Sequence, residues 1–179
     1  MHKLKNGFVQ VYTGDGKGKT TAAVGLAVRA AGDGYKVIMV QFLKGGPTGE
    51  LNSAKLLQPN FVIRRFEKPR GFFRTLNQEE KLELKKEIEE AYEFCISTLK
   101  EQGCDILILD EVMGALSNNL ISNEQIEYLI LLKPDNMELI LTGRNAPQSI
   151  IDKADLVTEM KQVKHYFEKG VCARKGIEY

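Results

Sequence analysis

The chain has 179 residues, 43% of them apolar and 27% charged, with 25 Lys and Arg against 24 Asp and Glu for a formal net charge of +1. That composition suits one globular domain with a full core and excludes a disordered chain or a disulfide scaffold. Residues 1–76 hold 13 basic and 4 acidic side chains and residues 77–179 hold 12 and 20, so the first part suits a polyanionic ligand or a nucleic acid.

Residues 8–12 alternate as a strand does and enter a glycine-rich turn, after which residues 19–31, rich in alanine, read as a helix stopped by Gly32 and Gly34. Residues 36–42 form a short β-branched run, a buried strand, and this order begins a parallel α/β sheet. Residues 43–47 and 68–75 bear glycine and proline and read as mobile loops, with a strand at 61–66 between them. Asn77 with Glu80 has the form of a capping box and opens the longest helix, which ends at Gln102 before Gly103. Leu84, Ile88, Ala91, Cys95 and Leu99 give it one buried stripe. Its Glu79, Glu80, Lys81, Glu83, Lys85, Lys86, Glu87, Glu89, Glu90 and Glu93 read as a solvated face.

Residues 105–110 are apolar on consecutive central positions, as in a strand buried on both faces. Ser122 with Gln125 then caps a helix, residues 137–142 make a strand, Pro147 suits a first helical turn, and residues 156–160 make a last strand. Cys95, Cys104 and Cys172 lack metal-type spacing and read as buried small hydrophobes. Apolar runs such as 106–109 and 128–132 fall far below the roughly 20 residues that cross a bilayer. The polar start Met1-His2-Lys3-Leu4-Lys5 lacks a signal peptide's apolar centre, so a cytoplasmic protein with no membrane partner is expected.

The informative segment is Thr13-Gly14-Asp15-Gly16-Lys17-Gly18-Lys19-Thr20-Thr21, between strand and helix. Glycines there turn backbone N–H groups inward around phosphate oxygens, and the helix presents its positive end to them. Lys19 adds charge at the outer phosphates and the Thr20 hydroxyl is placed to hold Mg²⁺. The usual spacing puts glycine where Thr13 stands, and Gly14 comes one residue late, so the loop is a variant. The apolar run ending in Asp110-Glu111 supplies carboxylates at the carboxyl edge of the sheet, where one can hold the magnesium opposite Thr20; the spacing does not choose between them. The expected architecture is α/β: a single P-loop NTPase-like domain over residues 1–179, with a mostly parallel central sheet and helices on both faces.

Beyond the loop, short segments resemble one family along nearly the whole chain. They are the phosphate loop through Ala22-Ala23, Arg29-Ala30 with Gly32 and Gly34, Gln41-Phe42, Lys44-Gly45 and Gly49-Glu50. They continue with Asp110-Glu111, Lys133-Pro134, Thr142-Gly143-Arg144, Ala154-Asp155, Val163-Lys164-His165 and Gly176-Ile177-Glu178-Tyr179. The family is the P-loop type of ATP:corrinoid adenosyltransferase, and the last two segments are its specific signature. The resemblance implies that a cobalt(I) corrinoid attacks C5′ of ATP and inorganic triphosphate departs, in adenosylcobalamin synthesis or salvage. It further implies a homodimer served by an electron-donating reductase.

The chemistry needs alignment and leaving-group stabilisation rather than a general base, which agrees with a sequence offering no Ser–His–Asp or Cys–His constellation; His165 reads as a structural or binding residue. On this resemblance Gly14, Asp15, Gly16, Lys17, Gly18, Lys19, Thr20, Thr21 and Arg29 bind ATP, Arg29 being a candidate for nucleotide or subunit contacts. Thr20 with Asp110 or Glu111 holds the metal, and Lys19 bears on the leaving group. Many members have Asn at the position of Asp15, whose charge then faces away from the phosphates or touches the metal. Family aromatics lie against the lower face of the corrinoid; with no Trp in the chain, Phe72 and Phe73 take that role. The family's N-terminal arm has little counterpart ahead of the first strand, which leaves ATP more exposed. A generic P-loop ATPase or small-molecule kinase is the alternative enzyme. A nucleic-acid-binding ATPase using Arg64, Arg65, Lys68, Arg70 and Arg74 with stacking Phe72 and Phe73 is the alternative from another class, but it leaves the tail motif unexplained.

Overall fold

Strands apolar on consecutive residues can be satisfied only by cover on both sides. In the computed structural model, which describes residues 4–179, β4 (Ile106–Asp110) and β5 (Glu138–Thr142) are buried at every position. Residues 1–3, on which the reading of a polar start rests, lie outside the described residues. The other strands are β1 (Val9–Thr13), β2 (Val37–Gln41), β3 (Phe61–Arg64) and β6 (Leu156–Glu159), and all six form one parallel sheet in the order β3-β2-β4-β5-β1-β6.

The twofold alternation of side chains splits the core between the two faces. Ile106, Ile108 and Ile140 pack with Val37, Met39 and the alanines of α1 (Lys19–Gly32), together with Ala54 of α2 (Gly49–Leu56). On the other face Leu107, Leu109, Leu139 and Leu141 pack against α3 (Gln78–Lys100) and α5 (Asn123–Leu132). The short α4 (Val112–Ser117) and α6 (Gln148–Ile151) complete that layer.

Asn77 and Ser122 each close a full capping box with Glu80 and Gln125, and the stripe from Leu84 to Leu99 is buried as its periodicity requires. Pro147 stands just before α6, at its N-cap. Two expectations need correction, and two helices were not expected at all. Glu87 is not on the solvated face of α3: it is 7% exposed and paired with Arg70, whose Nη2 donates to its Oε1 at 3.0 Å. Cys95 and Cys104 are buried, and burial pushes the Cys104 thiol up to about 12, but Cys172 is exposed. Helices α2 and α4 carry no pattern that marked them: α2 buries only Ala54, and α4 begins directly after the strand at a left-handed Glu111.

Candidate active site

Gly14 and Gly18 carry φ of 93° and 122°, a region that favours glycine, and together they turn the chain from β1 into α1. The loop also leans on the far end of the chain. A Cβ on Gly14 or Gly16 would meet the Met160 carbonyl oxygen at 2.5 or 2.6 Å. The Gly16 N–H donates to that oxygen at 2.7 Å, and the Met160 N–H donates to the Thr13 carbonyl at 2.8 Å. The late glycine of this variant loop thus joins Gly16 in admitting the backbone after β6. Lys19 is buried inside the turn, where its Nζ donates to the carbonyls of Gly14 (2.6 Å) and Gly16 (2.8 Å). Burial, and then the positive charge of Arg144, lower its pKa.

Asp110 ends β4 with no exposed surface and gathers donors from α1, β2, β5 and the loop after β2. Thr20 and Thr142 donate their hydroxyl hydrogens to Oδ1, each at 2.8 Å, while Gln41 Nε2 (3.0 Å) and Lys44 Nζ (2.7 Å) donate to Oδ2. Since Thr20 gives its hydrogen to Asp110, its oxygen can only accept, and beside the long bond from Lys44 a lone pair remains for a cation or a phosphate-bound metal. Lys44 Nζ also lies 3.4 Å from Thr20 Oγ1, so a positive group already balances these two oxygens. Glu111 takes φ of 62°, and its N–H donates to Thr142 Oγ1 at 2.9 Å. Its carboxylate lines the cleft beside the loop, with its pKa raised by burial and then by Asp110.

The cleft has a volume of about 1270 Å³ and runs from Thr20 and Thr21 past Lys44 and Glu111 to Phe72, Phe73 and Arg74. Its walls are locked by Arg65, which donates to Gln41 Oε1 at 2.8 and 2.6 Å, to Thr48 Oγ1 at 2.6 Å, and to the Gly46 carbonyl. Gly45 allows the two loops to touch: a Cβ there would stand 2.4 Å from the Lys68 carbonyl oxygen. The phenylalanines divide. Phe73 begins a short 3₁₀ turn (Phe73–Thr75) and packs on the core under Lys81, whereas Phe72 is 78% exposed with Arg74 over its ring.

Of the residues expected at the nucleotide, Gly18, Lys19, Thr20 and Thr21 stand together at the start of α1, with Asp110 and Glu111 facing them. Asp15 is on the exposed side of the loop, and its charge reaches Lys19. Lys17 points instead to the C-terminal segment, donating to Glu178 Oε1 at 2.8 Å and to the Tyr166 hydroxyl at 3.1 Å. Arg29 lies in the last turn of α1, ten residues beyond Lys19, which is roughly 15 Å along the helix at 1.5 Å per residue. His165 caps a 3₁₀ turn by accepting the Phe167 N–H, a structural task. Sequence reasoning gave no individual role to Gln41, Lys44, Thr142 or Arg144, and gave Arg65 one only in the nucleic-acid alternative. The segments of the first four were quoted, but the fold is what brings them together: Gln41, for one, is the direct partner of Asp110 across β2 and β4.

A parallel sheet with a glycine-rich loop after its first strand, a buried loop lysine, and a threonine bonded to the aspartate that ends a neighbouring strand define a P-loop nucleotide-binding protein. Residues 5–179 match the model of the ATP:corrinoid adenosyltransferase BtuR/CobO/CobP family, and the chain belongs to that family. It is 36% identical over 176 residues to the corrinoid adenosyltransferase of Escherichia coli and 35% identical to corrinoid adenosyltransferase CobA of Salmonella typhimurium. Each alignment covers 98% of this chain and 87% of the relative. Among solved structures, the flagellar accessory protein FlaH from Methanocaldococcus jannaschii shares the fold, with a TM-score of 0.55 at 17% identity over 87% of this chain and 72% of that one.

Proposed function

We propose that this chain transfers the 5′-deoxyadenosyl group of ATP to the cobalt of a cob(I)alamin or related cobalt(I) corrinoid, releasing triphosphate, in adenosylcobalamin synthesis or salvage. The observation that carries the reading, beside family membership, is that Thr20 and Thr21 open on the same cleft as Phe72 and Phe73. A nucleotide held by the loop and a planar macrocycle held by the aromatic loop then meet in one space.

In the reaction the cobalt lone pair forms the bond to C5′ while the C5′–O bond breaks, and its electrons leave on the triphosphate. Charge therefore grows on the phosphate chain, and the groups that matter are those that bind it better as it grows. Lys19, the N–H groups of Gly18 to Thr21 and the positive end of α1 fill that role. Hard oxygen donors at Thr20 and Glu111 suit Mg²⁺, with Asp110 orienting Thr20 and its own oxygens already engaged. When bound, the magnesium supplies positive charge to the triphosphate. Lys44, between Thr20 and Asp110, adds a second cation on the same wall. Phe72, exposed at the mouth of the cleft, meets the corrinoid face, and Phe73 supports it from below.

The reading extends to a single domain over residues 1–179 acting in the cytoplasm as a homodimer and receiving cobalt(I) from a reductase. Arg29, remote from the loop, then serves subunit contacts. Among the described residues no helix is long and apolar enough to cross a membrane. Mixing the purified chain with ATP, Mg²⁺ and chemically reduced cobalamin is expected to give the light-sensitive cobalt–carbon product in the visible spectrum, with triphosphate as coproduct. ADP and phosphate without that product would overturn the reading in favour of an ATPase or kinase.

A further inference from the structure

The signature segment Gly176-Ile177-Glu178-Tyr179 has no task in the reaction described so far, yet the chain returns it to the phosphate loop. Glu178 is the anchor. Its Oε1 accepts Lys17 Nζ at 2.8 Å and Arg174 Nη2 at 3.2 Å, and its Oε2 accepts the Arg174 N–H at 2.7 Å; the Tyr166 hydroxyl donates to the same carboxylate. These partners hold its carboxyl well below the usual carboxylate range. The segment so held lines the cleft together with Thr21 and Val24 of α1, and the Tyr179 carbonyl oxygen lies 3.8 Å from where a Cβ on Gly49 would sit. Although fixed, it leaves Ile177 56% and Tyr179 47% exposed.

We infer that residues 176–179, clasped to the loop through Lys17 and Glu178, form the wall that binds the nucleoside end of ATP. The inference rests on the adenosyl-transfer reading. There the triphosphate is held at Lys19 and Thr20, and C5′ must face the aromatic loop, so the ribose and base need a third wall. Ile177, Tyr179 and Val24 are the apolar groups on that side, and a flat base is recognised by apolar contact with a few backbone polar groups beside it. The clasp explains why Lys17 leaves the phosphates: it holds the segment that reads the rest of the molecule.

The test measures binding of two probes, ATP and inorganic tripolyphosphate, each with Mg²⁺, to the whole chain by calorimetry. Glu178→Gln loosens the clasp, and a variant with Ile177→Ala and Tyr179→Ala keeps the clasp but removes the wall. Each is expected to weaken ATP by about tenfold while leaving tripolyphosphate within about twofold. Unchanged ATP affinity in the wall variant, or equal loss of both probes, would overturn the inference. Lys19→Ala separates the two readings: it is expected to weaken both probes, and if it weakens neither, the phosphate-loop reading fails whatever the tail variants do.

Discussion

Asp110 is fully buried and Glu67 half-buried, and their surroundings treat them differently. Asp110 accepts from two hydroxyls, an amide and an ammonium. Glu67, in the cleft wall, accepts the Leu43 N–H at 2.5 Å, and burial outweighs that bond and pushes its carboxyl up to about 7, with the charge of Glu87 adding to the effect. The unfolded chain loses this proton near 4.5, whereas the folded chain keeps it to about 7. The favourable contribution is therefore complete below the unfolded value and disappears as pH climbs through the folded one, about 3 kcal/mol in all. Urea unfolding followed across that range is expected to show the decline, and Glu67→Gln to flatten it; a parallel profile in the variant would refute the assignment. At this scale the motif made Lys19, Thr20 and Asp110 legible, since loop chemistry dictates residue type and spacing. Glu67 was not legible, because a glutamate in a loop announces neither its burial nor its partner.

Helix α3 shows what element-scale patterns resolve and what they miss. Its cap and stripe follow from local spacing alone. Glu87 belongs to a run of similar charges, and what removes it from solvent is Arg70, brought over it by a loop 17 residues earlier. Arg70 Nη1 also stands 2.8 Å from Glu87 Oε2, in a charge contact without a hydrogen bond. Glu87→Ala leaves this guanidinium poorly compensated and is expected to cost about 3–5 kcal/mol. Glu83→Ala, at the exposed carboxylate that Lys68 and Arg70 share, should cost far less. Denaturant titration of the two variants checks the contrast, and equal losses would contradict the burial argument. Helices α2 and α4 were illegible for the opposite reason: one buries a single alanine and the other has six residues, too few for a period to register.

Across the whole molecule, four cations of the basic first part are brought against carboxylates of the acidic second part. Lys17 meets Glu178, Lys44 meets Asp110, Lys68 meets Glu83, and Arg70 meets Glu87. The split of charge along the sequence suited a polyanionic ligand or a nucleic acid, but folding pairs these four cations with carboxylates of the second part. Single-stranded DNA is accordingly expected neither to stimulate ATP turnover nor to bind with the steep salt dependence of multiple phosphate contacts. Stimulation at moderate salt would restore the nucleic-acid reading. The parallel α/β architecture was legible because alternating strand and helix signals admit few topologies.

The placement of β1 governs when the site can exist. Its neighbours are β5 and β6, and the loop it feeds is bonded to Met160. A chain emerging from the ribosome thus displays its phosphate loop well before the loop can be supported, since β1 has no partner strand until residue 138 has appeared and its glycines no backing until residue 160. Pairings so distant in sequence are slow to form. Nascent fragments ending within α3 should remain unable to retain nucleotide, and that competence should arrive late in synthesis, all at once, rather than grow with chain length.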